Sequence, residues 1–155
     1  MLAGSIAFLT IPSVWLGLEA VSCKREWLAY HNKCFGVFTE ETSWSNAEVL
    51  CQRYGENGHL ASFLSAQENE IVAKRITNNY PEVQRVWIGF HDPKKIGRWK
   101  WSDSSTTNFR PWSAGEPSKR GEKRSCVFMS LSEGFRRWTS ADCKEKMPFL
   151  CSSLL

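Results

Sequence analysis

An α+β fold is the class this sequence predicts, and three observations predict it. Two segments with helical spacing and N-terminal capping patterns stand early in the chain, at residues 45–54 and 65–80. Runs rich in β-branched and aromatic residues follow, separated by long polar stretches, and helices grouped ahead of strands is the α+β order. Six cysteines, an even number, add a disulfide framework to that core.

Taken in order, Trp27 to Tyr30, a turn at His31-Asn32-Lys33 and Cys34 to Phe38 form an opening hairpin. Ser45-Asn46-Ala47-Glu48 has the capping-box pattern, in which the hydroxyl accepts from the Glu48 backbone and the Glu48 carboxylate reaches back. Ala47, Leu50, Cys51 and Tyr54 then share one face, and Gly55 stops the helix. Ser65-Ala66-Gln67-Glu68 opens a second helix through Ile71, Val72 and Ile76, which ends before Pro81.

Arg85-Val86-Trp87-Ile88-Gly89-Phe90 is a buried strand, and its glycine marks a close approach by another backbone or a large ring. Asp92 to Gly97 is a turn, and Trp99 and Trp101 share a face of the next strand. Residues 106–124 break into Gly, Pro, Ser and charged residues around Trp112, a loop long enough to be functional. Strands resume at Cys126-Val127-Phe128-Met129 and at Trp138, and Pro148-Phe149-Leu150-Cys151 closes the domain. Trp112, Phe128 and Trp138 are divided between core packing and ligand stacking, with at least two expected in the core.

A chain of 155 residues accommodates one domain and a targeting segment. Ile6 to Leu18 is mostly apolar, Glu19 is the only charge in residues 1–22, and Ala20-Val21-Ser22 suits signal peptidase. The 13-residue apolar run is too short to span a bilayer. Residues 1–22 are therefore expected to be a signal peptide, residues 23–155 the mature domain, and the localisation secreted and extracellular. Six cysteines admit 15 pairings, and their spacing alone does not choose among them. Close Cys or His pairs of the kind zinc requires are absent from the sequence.

Trp87-Ile88-Gly89-Phe90, its turn and Trp99-Lys100-Trp101-Ser102-Asp103 resemble the core of the C-type lectin-like domain. Ser43-Trp44-Ser45-Asn46-Ala47-Glu48, His59-Leu60-Ala61-Ser62 and Trp87 to Pro93 are similar to the regenerating-islet group, with further likeness to eggshell-matrix lectin-like proteins and reptile venom lectins. The resemblance spans residues 23–155. It implies two helices flanking small antiparallel sheets, a long binding loop, and the disulfides Cys23–Cys34, Cys51–Cys151 and Cys126–Cys143.

It also implies where calcium would sit: a Glu-Pro-Asn or Gln-Pro-Asp motif, a Glu two residues before a cysteine, and a Trp-Asn-Asp triplet. Here those positions hold Glu116, Pro117 and Ser118, then Arg124, then Trp138, Thr139 and Ser140. Only Glu116 remains a strong oxygen donor, whereas calcium takes 6–8 oxygens, several of them carboxylates. No metal or other cofactor is expected, and calcium, whose site Glu122 and Asp142 could help rebuild, is disfavoured.

Positive charge stands in its place. From His91 to Lys146 there are 13 Lys and Arg against 7 Asp and Glu, a net of +6; from Cys23 to Phe90 there are 7 against 8, a net of −1. Lys119, Arg120, Lys123 and Arg124 fall within six residues, and Arg136 and Arg137 precede Trp138. A clustered positive field attracts polyanions with a salt-dependent affinity. The candidate ligand-binding residues are Glu116, Ser118, Lys119, Arg120, Lys123, Arg124, Arg136 and Arg137. Solvated surface is the plain alternative for the charged residues, weighed evenly for Arg136 and Arg137.

The expected function is calcium-independent binding of acidic, sulfated or mannose-rich glycans, or of polyanionic surfaces. The alternatives are a matrix protein on carbonate mineral and a calcium-dependent lectin with a degenerate site. Nucleic acid suits a secreted, disulfide-stapled domain poorly. His31, His59 and His91 lie on separate elements with no nucleophile or carboxylate at catalytic spacing, so an enzyme is not expected. The oligomeric state is not encoded in any feature of the chain.

Overall fold

The computed structural model describes residues 22–155; the signal-peptide expectation thus lies, apart from Ser22, outside the described residues. Strands β1 (Leu28–Tyr30) and β2 (Lys33–Thr42) form the opening hairpin around His31, whose φ of 52° makes the turn. Helix α1 follows at Trp44–Cys51, β3 at His59–Leu60 and helix α2 at Ala66–Asn79. The remainder is β4 (Arg85–His91), β5 (Lys100–Trp101), β6 (Arg124–Ser130), β7 (Trp138–Asp142) and β8 (Met147–Leu154). The strands run in the order β1-β2-β8-β4-β6-β7, with β3 on β8 and β5 on β4. The antiparallel ladders join into one mixed sheet through a parallel contact of β4 with β8, at Trp87 opposite Phe149.

The helix starts obey local rules, with one shift. Helix α2 is capped by Ser65, whose hydroxyl accepts from the Glu68 N–H at 3.2 Å. The first helix begins two residues earlier than the capping-box pattern implies: Ser43 rather than Ser45 is its cap, accepting from the Asn46 N–H at 3.4 Å, and it ends at Cys51 rather than Tyr54. Neither downstream carboxylate reaches back to its cap. The Glu68 carboxylate accepts from Lys33 Nζ at 2.7 Å, and the Glu48 carboxylate turns into the protein. A buried donor outcompetes a solvent-exposed cap for a carboxylate, because an unpaired buried donor costs more.

Strand β4 divides two apolar clusters. Val86, Ile88 and Phe90 pack with α2, Trp99, Trp101 and Trp138 on one side; Trp87 packs with Trp44, Phe149 and the Cys51–Cys151 bridge on the other. Residues 86–90 are all buried, so the alternation of side chains sorts them between two interiors rather than between core and water. Gly89 lets the β3 backbone come close. A Cβ there would stand 2.5 Å from the Leu60 carbonyl oxygen, and its N–H donates to the Ala61 carbonyl at 2.9 Å. Disulfides join Cys23 to Cys34, Cys51 to Cys151 and Cys126 to Cys143. No helix among the described residues is long and apolar enough to cross a membrane.

Candidate functional site

The long loop is anchored to the core at Trp112. Trp112 packs against Trp99 at 5.0 Å, Phe90 at 5.8 Å and Trp138 at 6.1 Å between centroids. Backbone bonds run from the Ser113 N–H to the Trp138 carbonyl and from the Trp138 N–H to the Pro111 carbonyl, each 2.9 Å. Trp138 is fully buried and donates its indole N–H to Asn69 at 3.0 Å. Trp138 therefore belongs to the core, while Trp112 and Phe128 are half-buried and pack against it. Burying Trp112 fixes the loop that carries the candidate residues.

Four of the five positions where the family holds calcium come together. The Glu116 carboxylate, 6% exposed, accepts from the Ser140 N–H at 2.7 Å and from the Ser140 hydroxyl at 3.0 Å. The Ser118 N–H donates to Ser140 Oγ at 3.2 Å, and the Ser118 hydroxyl donates to the Arg124 carbonyl. Arg124 lays its guanidinium 3.8 Å from Glu116 and 2.8 Å from Glu122. The hydrogen bond from Arg124 holds the Glu122 carboxyl below its ordinary pKa, and Glu122 in turn raises that of Arg124.

Thr139 stands apart: alternation along β7 turns it to the opposite face from Ser140, where its hydroxyl lies 3.0 Å from that of Ser113. Asp142 accepts from the Lys144 N–H at 3.0 Å. Among the described residues no group of three His, Cys, Asp or Glu side chains is arranged to hold a metal ion.

The basic candidates separate into two groups. Lys119, Arg120 and Lys123 are exposed, and no ion pair engages them among the described residues. Their loop is folded on itself by the Glu122 N–H to the Lys119 carbonyl at 3.1 Å. Arg136 instead makes a two-pronged bond to Glu70 on α2, at 2.6 and 2.8 Å, which lowers the Glu70 pKa. It braces α2 to the turn before β7. Arg137 is exposed and lines, with Arg136, Phe109 and Pro111, a separate pocket of about 260 Å³. The structure thus does not bring residues 136–137 into the cluster around Arg124.

His91, for which the sequence supports only a structural or surface role, is packed into the protein. Its ring stacks on Trp44 at 4.2 Å, and its pKa is lowered to about 4, first by burial and then by Lys100, against smaller opposing effects of Glu48 and Asp92. Its unfolded-state value is near 6.5, so between these limits the unfolded chain binds a proton that the folded one refuses. Stability conferred by the neutral ring is complete above pH 6.5 and drains away as pH falls toward 4. His91→Gln is expected to flatten this part of the pH–stability curve, measured as urea midpoints from pH 7.5 to 4. Parallel curves for variant and wild type would remove His91 from the account.

The profile of the Lectin C-type domain matches residues 40–153. Regenerating islet-derived protein 4 of Rattus norvegicus is 38% identical over 146 residues, covering 94% of this chain and 90% of that protein. A C-type lectin of Micrurus corallinus is 33% identical over 135 residues, covering 87% and 85%. Ovocleidin-17, a major protein of the Gallus gallus eggshell calcified layer, superposes with a TM-score of 0.77 at 31% identity, covering 86% of this chain and all of the other. The matching family is a family of lectins, not of enzymes. Fold, cysteine framework and relatives agree, and the chain belongs to the C-type lectin domain family.

Proposed function

We propose that this protein is a secreted, calcium-independent lectin whose basic loop binds acidic or sulfated glycans, with mannose-rich glycans as the neutral alternative. One observation carries the reading: the Arg124 guanidinium faces Glu116 where a metal would need an anionic cage, and Ser140 already occupies the Glu116 carboxylate. A fixed cation in that place disfavours a second one by repulsion. Three exposed cations beside it, Lys119, Arg120 and Lys123, have no ion pair among the described residues and supply the attraction for a polyanion. Three disulfides and the apolar segment at residues 6–18 support secretion.

The test is elution from immobilised heparin on a salt gradient, with and without chelator. Exposed charge contacts are worth about 0–1 kcal/mol each, so Lys119→Ala alone should weaken binding about fivefold at most. Replacing Lys119, Arg120, Lys123 and Arg124 together by Ser should remove roughly 2–3 kcal/mol, on the order of 100-fold. Chelator should leave the wild-type profile unchanged, and millimolar calcium should leave the melting temperature unchanged. Identical elution of wild type and quadruple variant would assign the loop to solvated surface. A calcium-induced rise in melting temperature, abolished by Glu116→Gln, would instead establish the calcium-dependent reading.

The likeness to ovocleidin-17 favours a second reading, a matrix protein adsorbing to carbonate mineral through the same cations. Retention on calcite with no retention on heparin would select it.

A further inference from the structure

Beside the Arg124 cluster lies a pocket of about 360 Å³ whose lining includes Trp44, His91, Lys95, Lys123, Asp142 and Lys144. Resting on the reading above, we infer that this pocket is an anchoring subsite for a sulfated sugar residue, its sulfate ester held by Lys95, Lys123 and Lys144. The three lysines come from three segments: the Asp92–Gly97 turn, the basic loop and the turn after β7. All three are exposed, and none is engaged in an ion pair among the described residues. Asp142 is the one carboxylate in the lining, and one of its oxygens accepts from the Lys144 backbone N–H at 3.0 Å. Positive charge is therefore in excess.

The scaffold under these lysines is built, not loose. Asp92 is buried, and its carboxylate accepts from the Ile96 N–H at 3.2 Å and the Gly97 N–H at 2.8 Å. Its own N–H donates to the Ser125 carbonyl at 2.8 Å, tying the turn to β6. The Lys95 carbonyl accepts from the Gly121 N–H at 2.9 Å, which joins the turn to the basic loop. Lys144 follows Cys143, which the disulfide to Cys126 holds. Two of the cations are thus attached to a frame set by backbone bonds and the third to a covalent bridge. That lowers the ordering cost of binding.

Ligand class follows from what else lines the pocket. Lysines are point charges with rotatable donors, so three of them from different segments can converge on one tetrahedral sulfate ester without a fixed fork geometry. The His91–Trp44 stack and Pro93 add an apolar wall, against which the carbon face of a sugar ring packs and a bare inorganic anion gains nothing. His91 remains uncharged at neutral pH and so leaves that wall apolar.

The double variant Lys95→Ser/Lys144→Ser tests the subsite without touching the Lys119–Arg124 cluster. A heparin tetrasaccharide should bind it about tenfold more weakly than wild type, with a shallower dependence on salt. Melting temperature should be unchanged, since both side chains are exposed. De-sulfated tetrasaccharide should fail to bind wild type, and polyphosphate of equal charge should bind more weakly than heparin. Wild-type affinity in the double variant, alongside a 100-fold loss in the quadruple loop variant, would overturn the subsite and leave the proposed function standing. No loss in either variant would overturn both. Polyphosphate binding as tightly as heparin would overturn the sugar assignment, and retained binding of the de-sulfated form would overturn the sulfate assignment.

Discussion

Replacing Cys51 and Cys151 together by Ala is expected to lower the unfolding free energy by about 4.7 kcal/mol, the value for a bridge closing a loop of 100 residues. The bridge joins the last residue of α1 to β8, whose Cys151 stands opposite Gly36 of β2 and Leu60 of β3. Cutting it frees nearly the whole domain in the unfolded ensemble, whereas the folded sheet keeps its ladders. Removing Cys23–Cys34, which spans 11 residues, should cost about 2.8 kcal/mol, and Cys126–Cys143, spanning 17, about 3 kcal/mol. Urea unfolding of the three double variants gives the order directly. Equal losses for the long and short bridges would show that loop entropy does not set their worth here.

Glu48→Ala should be the most damaging single polar substitution, costing about 3 kcal/mol. Its carboxylate accepts from the Leu60 N–H at 2.8 Å, the Ser102 hydroxyl at 2.9 Å, His59 Nδ1 at 2.8 Å and the Gln52 amide at 3.0 Å. Alanine leaves the Leu60 N–H, on a fully buried residue, without its acceptor, and it disconnects α1 from β3 and from the residue after β5. Glu48→Gln keeps one acceptor oxygen for Leu60 and should cost about half as much. The readout is urea-induced unfolding at neutral pH. A loss below about 1 kcal/mol for alanine would mean that water replaces the carboxylate and that the hub is dispensable.

The site was partly legible in the chain. Glu116, Ser118, Arg124 and Ser140 stand at positions marked by the resemblance to the lectin family, and the fold brings them into mutual contact. Arg136 was singled out by its charge, and charge alone does not reveal that Glu70, 66 positions away, holds it. Lys95 and Lys144 are ordinary turn lysines in the sequence until folding sets both beside Lys123.

The sequence by itself determined the features that depend on near neighbours. Ser65, with Glu68 three residues on, starts a helix, the β-branched and aromatic run at residues 85–90 makes a strand, and Gly89 marks a place of close approach. Its likeness to a family supplied the cysteine partners that spacing left open. Tertiary structure alone decided which partner each polar group takes. Glu48 has the spacing of a cap residue, yet it bonds to Leu60 and Ser102, 12 and 54 positions away, because a buried N–H without an acceptor costs more than an exposed cap left to water. The competition for Glu48 is settled by burial, and burial exists only once β3, β4 and α1 have packed together.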